Sequence, residues 1–204
     1  MKQAIILDLD NTIYPVSSIL AALFQKIYAL LEQHLPPGDI EAVKDDMARR
    51  PFHLVAEKFN FSDDLKTQVI NTLKNLTYDL PMQPFDDYRH IRLAPVRKFL
   101  VTTGFYKLQW SKVKMLGIED HFIEVHIVDP ETSGQTKKDV FADILNRHNY
   151  APADVLVIGD DPQSEIKAAV ELGIDTFLFD PDGKHAEAIV TYRAMELKDA
   201  VKYL

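Results

Sequence analysis

The chain has 204 residues, 47% of them hydrophobic and 26% charged, a balance that suits an ordinary globular protein with one core and room for a small insertion. Its formal net charge of −8 argues against nucleic acid polymers and anionic membrane surfaces, which select Lys and Arg, but leaves open a small phosphate ester. The absence of Cys excludes disulfides, thiol catalysis and Cys zinc sites. No apolar run reaches the ~18 residues of a membrane helix and no leader precedes the first strand, so the expected location is the cytoplasm.

Ala4-Ile5-Ile6-Leu7 is apolar at every position, the habit of a parallel strand buried on both faces, and it ends in Asp8-Leu9-Asp10-Asn11-Thr12. In open parallel sheets the ligand crevice lies at the carboxyl ends of the strands, so both acids fall where chemistry is expected. Alternation points Asp8 and Asp10 the same way, and carboxylates that close repel by a few kcal/mol at an effective dielectric of about 20. Mg²⁺ is a natural remedy, whereas the bland reading is a strand end followed by a turn.

Ser17 or Ser18 is a candidate cap for a long amphipathic helix carrying Ile19, Leu20, Leu23, Phe24, Ile27, Leu30 and Leu31, which Pro36-Pro37-Gly38 ends. The pattern stays helical from Asp39 to Tyr78, with breaks at Pro51 and Asn60 to Ser62. Leu54, Val55 and Phe59 mark one apolar face, and Leu65, Val69, Leu73 and Leu76 another. Roughly 65 residues with no strand signal are enough for a small bundle. We therefore divide the chain into an α/β core of residues 1–14 and 85–204 and a helical unit of residues 15–84.

Beyond it, strand and helix alternate. Strands are expected at Lys98 to Val101, before Thr102-Thr103-Gly104; at Val125 to Val128, before Asp129; at Val155 to Ile158, before Gly159-Asp160-Asp161; and at Thr176 to Phe179. Helices follow at 105–116, closed by Gly117; at 137–148, opened by Thr136 and Asp139 as a capping box; and up to Leu172. A short strand near Ile189 and a terminal helix from Glu196 finish the chain. This alternation predicts a doubly wound parallel sheet.

The strand ends together supply what phosphoryl transfer needs. Asp8 can attack phosphorus, and Asp10, with a pKa raised by crowding among acids, can protonate the leaving oxygen and then activate water. Thr102 offers a hydroxyl and Thr103 a neighbouring backbone N–H, while Lys137 adds positive charge beside a helix N-terminus. Asp160 completes a carboxylate set for Mg²⁺, with Glu165 behind it. Lys137 lies four, seven and eight residues before Phe141, Ile144 and Leu145, on the buried stripe, so it is preferred over Lys138.

The order of these residues resembles the haloacid dehalogenase superfamily of aspartate-nucleophile phosphatases. The matching segments are Asp8-Leu9-Asp10-Asn11-Thr12, Thr102-Thr103-Gly104, Lys137 and Gly159-Asp160-Asp161-Pro162-Gln163-Ser164-Glu165. The resemblance implies a Rossmann-like core with a mobile helical cap inserted after the first strand. It implies Asp8 as nucleophile, Asp10 as acid and base, and Mg²⁺ held by Asp8, Asp160 and the backbone carbonyl of Asp10. Thr102, Thr103 and Lys137 would bind phosphoryl oxygens. Asp10 argues for a phosphatase or phosphomutase rather than a dehalogenase, and Asp10-Asn11-Thr12-Ile13-Tyr14-Pro15 is similar to nucleotidase-like members. The pattern departs from the family in lacking Pro after the Lys and in having Glu165 where Asp is usual. Nucleoside monophosphates and sugar phosphates are the candidate substrates.

Other readings rank lower. A signalling receiver would place its phosphorylated Asp on a middle strand without a long insertion after the first, and a non-catalytic module would not need all four positions filled. Asp161, before Pro162, reads as structural. The seven His residues show no ligand spacing, and Trp110 reads as packing with Val113 and Leu116. In the insertion Arg49, Arg50, His53, Lys74 and Tyr78 are candidates to face a substrate, against the alternative of a solvated face.

Overall fold

The computed structural model describes residues 1–47, 50 and 52–204. Six parallel strands form one sheet: β1 (Ala4–Leu7), β2 (Arg97–Thr103), β3 (Glu124–Val128), β4 (Val155–Gly159), β5 (Asp175–Phe179) and β6 (Tyr192–Ala194), in the order β3-β2-β1-β4-β5-β6. β1 pairs β2 on one side and β4 on the other, Ile6 lying opposite both Phe99 and Val157. The strand order reverses at β1, so the crevice between the ends of β1 and β4 is the switch point of a doubly wound sheet.

Alternate residues of the central strands face opposite layers. Ile5, Leu7, Leu100, Leu156 and Ile158 pack with Tyr88 and Ile91 of α6 (Tyr88–Leu93), with Leu108 and Val113 of α7 (Tyr106–Leu116), and with Leu197 and Ala200. Ala4, Ile6, Phe99, Val101, Val155 and Val157 pack with α8 (Lys137–His148) and α9 (Glu165–Glu171). Burial on both faces explains the unbroken apolar runs.

The insertion holds α1 (Leu20–Leu23), α2 (Gln25–His34), α3 (Pro37–Met47), α4 (Phe52–Lys58) and α5 (Asp63–Asn75). Its own apolar cluster joins Ile27, Leu31, Val43, Val55, Leu65 and Val69. Ile19, Leu23, Tyr78 and Met82, near its two ends, pack instead with the sheet's cluster. Phe85 N–H donates to the Ile13 carbonyl (2.8 Å), so entry and exit run side by side. Among the described residues no helix is long and apolar enough to cross a membrane.

Local expectations needed correction at several points. The long first helix is broken at Phe24 (φ −97°, ψ 9°), which separates α1 from α2. Neither Ser17 nor Ser18 caps it; both lie in a 3-10 turn, and Ser18 Oγ donates to the Pro15 carbonyl. Leu54 is exposed, whereas Ser62 caps α5 by accepting from Leu65 N–H. The last strand is Tyr192–Ala194, beside β5, while Ile189 is 85% exposed; the terminal helix is a 3-10 helix over Leu197–Tyr203. β2 runs on to Thr103, which leaves Thr102 and Thr103 at its carboxyl end.

Candidate active site

β1 stops at Leu7, and the Asp8 N–H donates to the Ile158 carbonyl (3.0 Å), which pins the first acid beside the end of β4. The chain then turns sharply. Asn11 takes φ 56°, its side-chain oxygen accepts from Val16 N–H, and Tyr14 bridges back to Asp10.

Asp8 lies in a pocket of excess negative charge. Lys137 Nζ donates to Asp8 Oδ1 (2.6 Å) and to Glu165 Oε2 (2.7 Å), all three side chains being at most 7% exposed. The capping box of Thr136 and Asp139 starts α8 so that Lys137 enters its first turn on the buried side. Glu165 opens α9 and accepts from Asp161 N–H with Oε1 (2.8 Å). A Cβ on Gly159 would stand 2.2 Å from that carboxylate, so only glycine leaves room for it. Thr12 Oγ1 donates to Asp160 Oδ1 (3.3 Å).

Carboxylate oxygens of Asp8, Asp160 and Glu165 lie within 4.8 Å of one another. If all three carboxylates were ionised, one ammonium would leave a net charge of −2 in a largely buried pocket. Burial pushes the Asp8 carboxyl up despite Lys137, with Glu165 adding to the rise. Burial, Asp8 and Glu165 push Asp160 up as well. Lys137 is held above the ordinary Lys range, its burial outweighed by the two acids it touches.

Asp10 is the correction. Its carboxylate does not crowd with the other acids: Lys112 Nζ donates to both oxygens at 2.9 Å, Tyr14 Oη donates to Oδ1 at 2.5 Å, and Gln109 Nε2 to Oδ2 at 3.1 Å. Burial opposes ionisation there, but these donors outweigh it and hold the Asp10 carboxyl below its ordinary value rather than above it. Gln109 also donates to Thr102 Oγ1 (2.7 Å) and the Thr103 carbonyl (3.3 Å). Gly104, at φ 150°, admits this close approach, since a Cβ there would meet Gln109 at 2.9 Å.

Thus Asp8, Asp10, Thr102, Thr103, Lys137 and Asp160 gather at one crevice. Lys138 turns away and pairs with Glu171, its side chain 45% exposed. Asp161 Oδ1 accepts from Gln163 N–H and shapes the turn. Of the insertion candidates, Arg49 lies outside the described residues and His53 is exposed. Tyr78 is buried in the sheet's cluster, and Lys74 pairs with Glu131. Trp110 packs on the core and stacks with Tyr106.

The sequence reading missed Lys112, Gln109 and Tyr14. A usable signal existed: Gln109 and Lys112 are polar residues three apart on the face of α7 that also carries Leu108 and Val113, and both are buried. Between insertion and core, a cleft of about 190 Å³ opens from Asp10, Thr103, Gln109 and Lys112 toward Phe24, Arg50 and Phe52.

The acid group suits Mg²⁺: its donors are hard oxygens, charge is in excess, and Thr12 fixes Asp160. The Asp10 carboxylate is committed to Lys112, Tyr14 and Gln109 and is not part of that acid group. Residues 2–173 match the haloacid dehalogenase-like hydrolase family, and the chain belongs to that family. It is 24% identical over 193 residues to the glyceraldehyde 3-phosphate phosphatase of Methanopyrus kandleri, covering 86% of this chain and 83% of that one. The haloacid dehalogenase-like protein SP0104 of Streptococcus pneumoniae superposes with a TM-score of 0.74 at 20% identity, covering 99% and 98% of the two chains. The magnesium-bound hydrolase YfnB of Bacillus subtilis superposes with a TM-score of 0.70 at 20% identity, covering 100% and 98%.

Proposed function

We propose that this hydrolase is a Mg²⁺-dependent phosphatase that cleaves a small phosphomonoester through an aspartyl phosphate, with residues 15–84 acting as a cap over the core. The observation that carries the reading is the pair of separate cation pockets, Lys137 with Asp8 and Lys112 with Asp10, at the switch point of the sheet. The phosphatase named for Methanopyrus kandleri supports a small ester as substrate. Nucleoside monophosphates and sugar phosphates are the natural candidates.

Lys137 anchors Asp8 Oδ1, and among the described residues nothing donates to Oδ2, to which we assign the attack on phosphorus. That attack forms the Asp8–phosphorus bond and breaks the ester bond, and the leaving alkoxide takes a proton from Asp10. Water then loses a proton to Asp10 and attacks the phosphoryl group, releasing Asp8 and phosphate. The carboxylate state favoured by Lys112 is the one this second step needs; the negative charge of a bound phosphate favours the protonated state for the first. Thr102 accepts from Gln109, so its own O–H is left to donate to a phosphoryl oxygen, beside Thr103 and Lys137. Mg²⁺ held by Asp8, Asp160 and the Asp10 carbonyl would neutralise phosphoryl charge.

A panel of phosphate esters including p-nitrophenyl phosphate, assayed with Mg²⁺ and with EDTA, tests this reading. Turnover with Mg²⁺ that chelation abolishes is expected. Full activity in EDTA would remove the metal assignment, and a silent panel would remove the phosphatase.

A further inference from the structure

We infer that the ester accepted here carries on its alcohol a flat or apolar group, about the size of one ring, in preference to a polyol chain. The inference rests on the phosphatase reading and specifies its substrate class. The carrying observation is the division of the cleft beside Asp10. The wall from the core carries Asp10, Thr103, Gln109 and Lys112 together with Phe105 and Leu108; the wall from the insertion carries Phe24, Met47, Phe52 and Leu73, all apolar, with Arg50. With Asp10 protonating the leaving oxygen, the alcohol faces that largely apolar insertion wall.

There a polyol would give up water around its hydroxyls with few partners in return, whereas a ring would exchange water for apolar contact. The lining is also held in place. Phe24 meets Tyr28 edge-on at 5.9 Å, and Phe52 meets Phe61 at 6.0 Å, so the aromatic walls are braced before any ester arrives.

Size sets the second limit. Lys107 Nζ donates to Asn75 Oδ1 (2.9 Å) and Lys74 pairs with Glu131 (2.6 Å), so α5, which brings Leu73 to the cleft, is tied to the core. The cleft's volume of about 190 Å³ is below the ~300 Å³ at which drug-sized pockets begin. Arg50 is the charged residue on the insertion wall, and its guanidinium has no partner among the described residues. It is placed to receive an acceptor oxygen carried on the ring.

The test compares kcat/KM of the full chain with Mg²⁺ for benzyl phosphate and glycerol 3-phosphate, two primary alkyl esters whose leaving alcohols are similarly basic. The ratio therefore reads the cleft rather than the chemistry. A preference of about 10-fold or more for benzyl phosphate is expected; a smaller ratio overturns the inference. Turnover of p-nitrophenyl phosphate with glycerol 3-phosphate preferred would overturn it and leave the phosphatase standing. No turnover of any ester would remove both.

Phe52→Ala should lower the benzyl-to-glycerol ratio by roughly 3-fold or more, with Phe52→Leu keeping most of it; an unchanged ratio in Phe52→Ala counts against the inference. Arg50 is exposed, so its substitution does not endanger folding. Arg50→Ala should cut kcat/KM for 4-carboxybenzyl phosphate about 10-fold relative to benzyl phosphate, with partial rescue by Arg50→Lys. Equal effects on the two esters would overturn the role of Arg50.

Discussion

Asp8 and Asp10 leave the same strand two residues apart and end in opposite electrostatic surroundings. Lys137 is shared between Asp8 and Glu165 with Asp160 alongside, whereas Lys112 serves Asp10 alone, helped by Tyr14 and Gln109. The first pocket carries surplus negative charge and pushes its acids up; the second is balanced and holds its acid down. A surplus invites a cation, and a balanced pair keeps a carboxylate ready. Adjacent acids thus acquire different chemistry from the cations that distant helices bring to them.

The largest effect expected from breaking this contrast is on Asp8, the proposed nucleophile. Asp8→Asn should reduce kcat on an aryl phosphate by roughly 10⁴-fold or more, with no phosphoryl-enzyme trapped on acid quench; near-normal turnover would refute covalent catalysis at Asp8. Asp10→Asn should cost about 10²- to 10⁴-fold on an alkyl ester and less on p-nitrophenyl phosphate, whose leaving group needs little protonation. Equal losses on both esters would mean that Asp10 is not the acid.

Lys137→Ala should lower kcat by on the order of 10²-fold and weaken binding of a phosphate analogue such as vanadate, while Lys138→Ala stays near wild type. The reverse pattern would contradict the geometry of α8.

Stability distinguishes the pockets by sign. Lys112→Met leaves the largely buried Asp10 carboxylate without its cation and should destabilise by about 3 kcal/mol in urea unfolding. In EDTA, Asp160→Asn removes surplus charge and should raise the unfolding midpoint by roughly 2–4 °C. Matching signs would show that the pockets are not electrostatically distinct.

The smallest effect is the pH dependence of the metal-free protein. Asp8 and Asp160 are raised, so above the ordinary Asp value of 3.8 the folded chain holds more protons than the unfolded one, and stability falls as pH rises. Asp10 is lowered, so its contribution is present above 3.8 and is lost as pH falls below it. Mg²⁺ should therefore raise the unfolding midpoint more at pH 8 than at pH 5, measured by thermal unfolding. An equal shift at both pH values would place the ion elsewhere.

Much of the sheet was legible because burial on both faces leaves unbroken apolar runs at 4–7, 98–101 and 155–158, and the polar residue ending each run marks the crevice. The burial of Lys137 was also legible: Phe141, Ile144 and Leu145 define which side of α8 is inside, and Lys137 shares it. The last strand was misplaced because three half-buried residues at a sheet edge carry little hydrophobic signal. The break at Phe24 was hidden because apolar spacing continues through it, one side packing on the sheet's cluster and the other on the insertion's.

By itself the sequence determined the strand ends and the kinds of chemical group they carry, because periodicity and strand burial are local properties of the chain. Only the tertiary structure decided how those groups are charged. Lys112 comes to Asp10 from 102 residues away and Lys137 to Asp8 from 129, and the ionisation of a carboxylate depends on burial and on which cations lie within a few ångströms, distances that chain order does not encode.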